Sequence, residues 1–353
     1  NEQSVAFIGL YVLSFSDQYA YFYTQGSYSL PFVLDHSRTF NLYTIMTPLI
    51  KKIEAAIKKI DNLDRLYADI ALVYTNSIYN SRVIQLNDYL LHSCESGVTD
   101  THYCDHEIIV SLTTYEPRLY ETYLAIESIM QQTVKANRII LWLPDSLKTT
   151  TLPNTLQLQM KRGLEVRYCK DIRSYKKLIP ALRSYPDDAI ITIDDDAIYH
   201  IDLIEKLVNS YIKDPQFIYF NRGRRINLQD GKFLPYLGWK KCFDMEASVL
   251  NFPTGVGGIL YPPHIFSDEV FNESVFMNIC PFSDDIWFKA MALYNNKLCK
   301  KVYTHNRSGN DYLENLSVQN CALHHINHGQ QQNDIQLKDV FEKYDLYKKL
   351  IAM

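Results

Sequence analysis

Ala189-Ile190-Ile191-Thr192-Ile193-Asp194-Asp195-Asp196 is a run of apolar and β-branched residues that stops abruptly on three carboxylates. The five residues before the acids have the composition of a strand buried on both faces, and that reading decides the fold class. Short runs of the same kind precede it at residues 108–112, 138–143 and 164–169. Helix-like stretches lie between and after them: residues 119–132, with Tyr123, Ile126, Ile129 and Met130 on one face, and residues 202–213, with Leu203, Leu207, Tyr211, Ile204 and Val208. Alternating strand and helix predicts an α/β domain with a mainly parallel sheet covered on both faces. In such sheets ligands collect beyond the carboxyl ends of the strands, where the strand order reverses.

Three adjacent negative charges at one strand tip repel one another, and a cation removes that cost. Hard oxygen donors suit Mn²⁺ or Mg²⁺, shared with substrate phosphates. On an extended chain Asp194 and Asp196 point the same way and Asp195 points elsewhere. The plainer reading of such a triplet is a solvated acidic turn; its place at the end of a buried strand favours the metal.

Hydrophobic residues make up 47% of the 353 and charged residues 22%, so the chain has the material for a packed core and lacks the signature of disorder. A formal charge of −4 argues against a nucleic-acid partner held by bulk charge. The 27 Tyr and 16 Phe allow sugar-stacking surfaces, but ordinary core and interface filling explains them as well. Seven cysteines form no C-x-x-C pair and are odd in number, which suits a reducing cytosol better than a zinc ribbon or a disulfide scaffold. The apolar stretch 5–15 is too short to span a bilayer and has no basic residue before it, so a cytoplasmic location is expected. The chain starts at Asn, which suggests a piece of a longer protein with additional domains.

The small, polar stretch 94–106 marks the boundary between two regions. Before it, Ile45, Leu49, Ile53, Ile57, Ile60, Leu63, Tyr67, Ile70 and Tyr74 recur at helical spacing, and a second helical run covers residues 77–91. Lys51, Lys52, Lys58 and Lys59 lie off that stripe, as a solvated face or as a surface for peripheral contact with anionic lipid at the inner face of the cytoplasmic membrane. The expected division is a helical accessory region (1–100), a catalytic domain (107–330) and a C-terminal helix packed on it (331–353). Asn333-Asp334 would cap that last helix, whose inner face carries Leu337, Val340, Phe341, Tyr344 and Tyr347.

Further constellations follow the acidic run. Ser283-Asp284-Asp285 opens a helical stretch as N-cap and first-turn acids, a favourable arrangement with no catalytic content. A general base is the functional alternative, and a helix N-terminus lowers carboxylate pKa, so it would need desolvation. Thr254-Gly-Val-Gly-Gly258 is a turn or a place of close backbone approach to substrate. Trp239 is a sugar platform or a core residue. Arg222, Arg224 and Arg225 are surface charge or a holder of diphosphate or an anionic acceptor.

In this order and spacing, residues 108–328 resemble the GT-A glycosyltransferases, particularly family 2-like enzymes of bacterial capsule and lipopolysaccharide loci. The resembling pieces are Ile108-Ile-Val-Ser-Leu-Thr-Thr-Tyr-Glu-Pro-Arg118, Ser174-Tyr-Lys-Lys-Leu-Ile-Pro-Ala-Leu182, the Asp triplet, Phe252-Pro-Thr-Gly-Val-Gly-Gly-Ile-Leu-Tyr-Pro-Pro263 and Ser283-Asp-Asp-Ile-Trp-Phe288. The resemblance implies a Rossmann-like GT-A domain. It implies transfer of a sugar from a nucleotide-sugar donor, first of all a UDP-sugar, to a hydroxyl of a glycan or lipid-linked glycan in surface polysaccharide synthesis. Thr113, Thr114, Tyr115 and Arg118 would hold base and ribose. Lys176 or Lys177 would approach the uridine or the diphosphate, and Asp194 or Asp195 would contact ribose and donor sugar. Asp196 would bind Mn²⁺ or Mg²⁺, with Asp194 beside it and His324 or His325 added from the C-terminal side; His305 is a further candidate. Asp285, ahead of Asp284, would be the base of an inverting reaction, with double displacement through an enzyme nucleophile as the other course.

Three other functions compete. A nucleotidyltransferase making a nucleotide-sugar expects a glycine-rich basic loop after the first strand, and residues 113–118 contain no Gly. A glycoside hydrolase would use a carboxylate pair. A non-catalytic carbohydrate-binding module would have no use for the intact acidic run.

Overall fold

The computed structural model describes residues 5–8, 11–16, 19–23, 31–33, 42–306, 311–315 and 332–351. It divides into two compact units, Asn1–Thr75 and Asn76–Met353. In the first, strands β1 (Val5–Ile8), β2 (Tyr11–Ser16), β3 (Tyr19–Tyr23) and β4 (Pro31–Val33) form an antiparallel meander. The two helical runs expected next are a single helix, α1 (Leu42–His92). The four strands carried no periodicity signal, because runs of three to six residues are too short to show one. Along α1, Leu63, Tyr67, Ile70 and Tyr74 of the predicted stripe are exposed, whereas Leu86 and Leu90 are buried, and Leu86 packs with Leu124 and Ile198.

The second unit is the α/β domain with helices on both faces of a mainly parallel sheet. Its first half alternates β5 (Ile108–Thr113), α2 (Tyr123–Met130), β6 (Arg138–Pro144), α3 (Asn154–Met160), β7 (Leu164–Cys169), α4 (Ile179–Ser184) and β8 (Ala189–Thr192). Then come β9 (Ala197–Tyr199), α5 (Leu203–Lys213), β10 (Ile218–Phe220), β11 (Gly223–Arg225), the hairpin β12 (Leu228–Gln229) and β13 (Lys232–Phe233), β14 (Asn251–Pro253) and β15 (Ile259–Tyr261). The chain continues with α6 (Glu273–Ile279), α7 (Asp284–Tyr294), β16 (Cys299–Lys301), β17 (Tyr312–Glu314), α8 (Gln332–Lys343) and α9 (Tyr347–Ile351).

The central sheet has seven strands in the order β16-β10-β15-β8-β5-β6-β7, parallel throughout except for β15, which runs against both β8 and β10. The chain builds outward from β5 through β6 to β7 and then returns to place β8 on the other side of β5. That makes the β5/β8 boundary the point where strand order reverses, and the carboxyl ends of these two strands carry residues 113–118 and the Asp triplet.

Two hydrophobic layers explain the sheet. Ile108, Val110 and Leu112 of β5 join Ile126 and Ile129 of α2 and Leu203, Leu207 and Tyr211 of α5 in one core. Ile109 points to the other, with Ile179, Ile286, Met291, Leu337 and Phe341. Alternate residues of one strand thus feed opposite layers, as the pleat requires. Helix α7 is buried around its whole girth from Ile286 to Leu293, because α8 covers the side that the sheet does not. Leu337, Val340 and Phe341 are buried as expected. Asn333 and Asp334 lie inside the first turn of α8 rather than ahead of it, and Asp334 accepts the Tyr236 backbone N–H at 2.7 Å.

Candidate active site

A cleft of about 890 Å³ opens at the carboxyl ends of β5 and β8. Its lining brings together Thr113, Thr114, Tyr115, Arg118, Lys176, Lys177, Asp194, Asp195, Asp196, Asp284 and Asp285. His324, His325 and His328 lie outside the described residues. His305 is described but does not line the cleft; its Nε2 meets Asp202 instead.

The acidic corner starts from a turn. Strand β8 ends at Thr192, and the backbone N–H of Asp194 donates to the buried Tyr199 hydroxyl at 2.8 Å. Asp195 and Asp196 form a turn, so the triplet is not extended and the expected alternation of its side chains gives way. Asp195 and Asp196 share one guanidinium, with Arg118 Nη1 at 2.8 Å and 3.0 Å. Thr114 donates its hydroxyl to Asp195 at 2.5 Å. Asp194 faces the other way, 2.7 Å from Lys177 Nζ, which also lies 3.0 Å from Asp284.

The neighbouring charges leave clear marks. Burial, then Asp194 and Asp195, push the Asp196 carboxyl up to about 7 against the pull of Arg118. Asp195 is raised by burial, with Arg118 and Thr114 opposing. For Lys177, burial alone would lower the pKa, but Asp194, Asp284 and Asp285 outweigh it and hold the ammonium well above its ordinary value. By donor chemistry the carboxylates of the triplet fit Mn²⁺ or Mg²⁺, but Asp194 turns to Lys177 while Asp195 and Asp196 turn to Arg118, so the three would have to swing together to share one ion.

Asp285 sits in the first turn of α7, where the helix dipole favours the charged form. Burial and the adjacent Asp284 dominate, and with Asp194 they raise its carboxyl to about 7 despite Lys177 and a backbone hydrogen bond from Gly255. That Gly255 N–H donates to both carboxylate oxygens, at 3.0 and 3.1 Å. A Cβ at Gly255 would lie 2.5 Å from Lys177 Nζ, 3.1 Å from Asp285 and 3.3 Å from Asp194. The absence of a side chain at Gly255 lets these three side chains meet in one corner.

Other candidates divide. Lys176 is buried and ion-paired with Asp171. Arg222 and Arg224 line the cleft, the first donating to Thr254 Oγ1 at 2.7 Å and the second stacking on Tyr236 at 4.9 Å. Arg225 does not line it and binds Asn251 at 2.6 Å. Trp239 is a core residue, 2% exposed and packed on Phe252 and Phe233; its neighbour Tyr236 reaches the cleft instead. Sequence reasoning missed Tyr312 and Glu314, which reach the cleft because β17 pairs with β9 just beyond the triplet. Asn315 seals this pairing by donating its N–H to the Asp196 carbonyl at 2.7 Å. A three-residue strand offers no period by which to find it.

No family model matches the sequence, and no curated protein matches it. Solved structures to which the chain shows a low similarity include glucosyl-3-phosphoglycerate synthase from Mycobacterium tuberculosis in complex with Mn²⁺, uridine diphosphate and phosphoglyceric acid. That match has 16% identity and a TM-score of 0.26, over 33% of this chain and 43% of that one. The mannosyltransferase PcManGT from Pyrobaculum calidifontis, in complex with GDP-Man and Mn²⁺, matches at 13% identity and TM-score 0.36, over 66% and 65%. The inositol-1-phosphate CTP transferase from T. maritima matches at 9% identity and TM-score 0.37, over 67% and 96%. The chain thus spans less than two thirds of the first two, and similarity at this level assigns no reaction.

Proposed function

We propose that this chain is a metal-dependent glycosyltransferase of the GT-A type, moving a sugar from a nucleotide-sugar, first of all a UDP-sugar, to a hydroxyl of a glycan or lipid-linked glycan with inversion. The observation that supports it is the convergence at Gly255 of a carboxylate poised near neutrality, Asp285, with the acidic corner at the end of β8. Asp196 and Asp194 would hold Mn²⁺ or Mg²⁺, with His324 as an added ligand, and the ion would neutralise the diphosphate of the donor and of the leaving group.

The chain's own residues do the rest. Thr113 at the end of β5 and Thr114, Tyr115 and Arg118 just after it receive the base and ribose, with Asp195 held behind them by Arg118 and Thr114. Lys177 and Lys176 lie on the diphosphate side, and Lys177 keeps Asp194 and Asp284 in place until phosphate oxygens compete for its ammonium. Asp285 accepts the proton of the acceptor hydroxyl as its oxygen bonds to the anomeric carbon and the bond to the diphosphate oxygen breaks. Asp284, 3.0 Å from Lys177, raises the proton affinity of Asp285. Among the described residues no helix is long and apolar enough to cross a membrane. Work in a bacterial surface polysaccharide pathway, in the cytoplasm or at the inner face of its membrane, is part of the same proposal.

A thermal-shift screen of UDP-, GDP-, CDP- and dTDP-sugars with and without Mn²⁺ tests the reading. One nucleotide class should stabilise the wild type only when Mn²⁺ is present, and Asp196→Ala should lose that shift without melting below the wild type in the absence of metal. Undiminished metal-dependent binding by Asp196→Ala would remove the metal role from Asp196. Stabilisation by a nucleoside triphosphate and by no nucleotide-sugar would assign the cleft to nucleotidyl transfer.

A further inference from the structure

Outside the cleft, three metal-ligating side chains meet where β9 hands over to α5. His200 follows β9, Asp202 precedes α5, and His305 lies four residues beyond β16. The Asp202 carboxylate sits between two imidazoles, with Oδ1 2.6 Å from His200 Nδ1 and Oδ2 against His305 Nε2. The two rings are 4.6 Å apart. One donor atom from each residue falls within 4.8 Å of the other two. Ligands about 2.0–2.1 Å from one tetrahedral Zn²⁺ lie roughly 3.3 Å apart, so small side-chain rotations would close the set. Both histidines are half exposed and open to an incoming ion.

We propose that His200, Asp202 and His305 form a second divalent-metal site, of the zinc type, distinct from the carboxylate corner of the cleft. Two imidazoles and one carboxylate are the donor set of an open tetrahedral site, with water in the fourth position, and they suit a borderline-soft ion better than the all-oxygen corner does. The ion takes the place of the protons that now join Asp202 to the two rings. Lys206 is the competing cation, 3.2 Å from Asp202 Oδ1, but its nearer partner is Asp311 at 2.6 Å. Asp311 in turn accepts the backbone N–H of His305 at 2.9 and 3.0 Å, while its carbonyl accepts the N–H of His200 at 3.1 Å. The next residues, Tyr312 and Glu314, form a wall of the cleft. A metal here clamps β9, α5 and the approach to β17 together, and so fixes that wall from outside.

Zinc stoichiometry of the full chain, measured by calorimetry, tests this. Wild type should bind one equivalent more than His200→Gln and one more than His305→Gln, and Asp196→Ala should keep that equivalent. Cobalt is the second measurement: Co²⁺ added to Asp196→Ala should give the visible d–d bands of a tetrahedral nitrogen/oxygen site, absent in Asp196→Ala carrying His305→Gln. Equal stoichiometry in wild type and both histidine variants, or no tetrahedral Co²⁺ spectrum in Asp196→Ala, would overturn the proposal.

Discussion

At Asp285 two consequences of position oppose each other. The start of a helix lowers a carboxyl pKa, while burial beside Asp284 raises it, and burial prevails with a value of about 7. A base acts when deprotonated, so kcat/KM should rise about tenfold per pH unit below 7 and level above it; a profile flat from pH 5 to 8 would remove Asp285 from the proton transfer. Asp285→Asn should cut transfer by about 10²–10⁴-fold, the usual worth of a positioned base, with the nucleotide-sugar thermal shift unchanged. Normal turnover in that variant would eliminate the residue as base. The acids could be read from the sequence because each stands at a recognisable element end. Gly255 could not be understood that way, since its purpose depends on Lys177, Asp194 and Asp285, which come from three separate segments. Gly255→Ala should therefore lose both donor binding and transfer. Gly238→Ala, where a methyl group meets nothing within 4 Å, should leave both intact, and equal effects would contradict the packing account.

Among the elements, the strands that alternate with helices were legible because β5, β6 and β8 are almost wholly buried apolar runs and the edge strand β7 alternates apolar and charged residues. Residues 108–112, 138–143, 164–169 and 189–193 became β5 to β8 with boundaries shifted by at most one residue. What failed was the geometry just past a strand end. The extended-chain argument for Asp194 and Asp196 breaks down because the backbone turns at Asp195 and Asp196 before β9 begins. Strands of three residues, such as β15 and β17, are specified by their partners and not by a local pattern. Helix α7 joins both kinds of information, since the residues that bury it also aim Asp285. Trp287 fills that core, 0% exposed, and its Nε1 donates to the Val270 carbonyl at 3.1 Å. Trp287→Ala should cost about 3–5 kcal/mol in denaturant unfolding. A cost below about 1 kcal/mol would show that α7 is not held by the core around it.

For the molecule as a whole, the cleft stores unfavourable charge that the two cores must outweigh. Asp196 and Asp285 both carry pKa values near 7, against about 3.9 for an aspartate in an unfolded chain. Between those two values the folded protein retains protons that the unfolded chain has released, so stability falls as pH rises through the window and stays low above it. Asp196→Asn cannot ionise, and Arg118 keeps Asp195 as its partner at 2.8 Å. This variant should melt above the wild type at pH 8 in the absence of metal, and the gap should close on acidification to about pH 4, where both chains carry a neutral side chain there. Mn²⁺ should reverse the order, because a cation bound at the carboxylates raises the melting point of the wild type and gives the variant little. A stabilised variant that is unresponsive to metal is the behaviour of a site where fold stability has yielded to function. If Asp196→Asn instead melts lower at pH 8, Arg118 already balances the corner, and the physical argument for a metal at Asp196 fails with it.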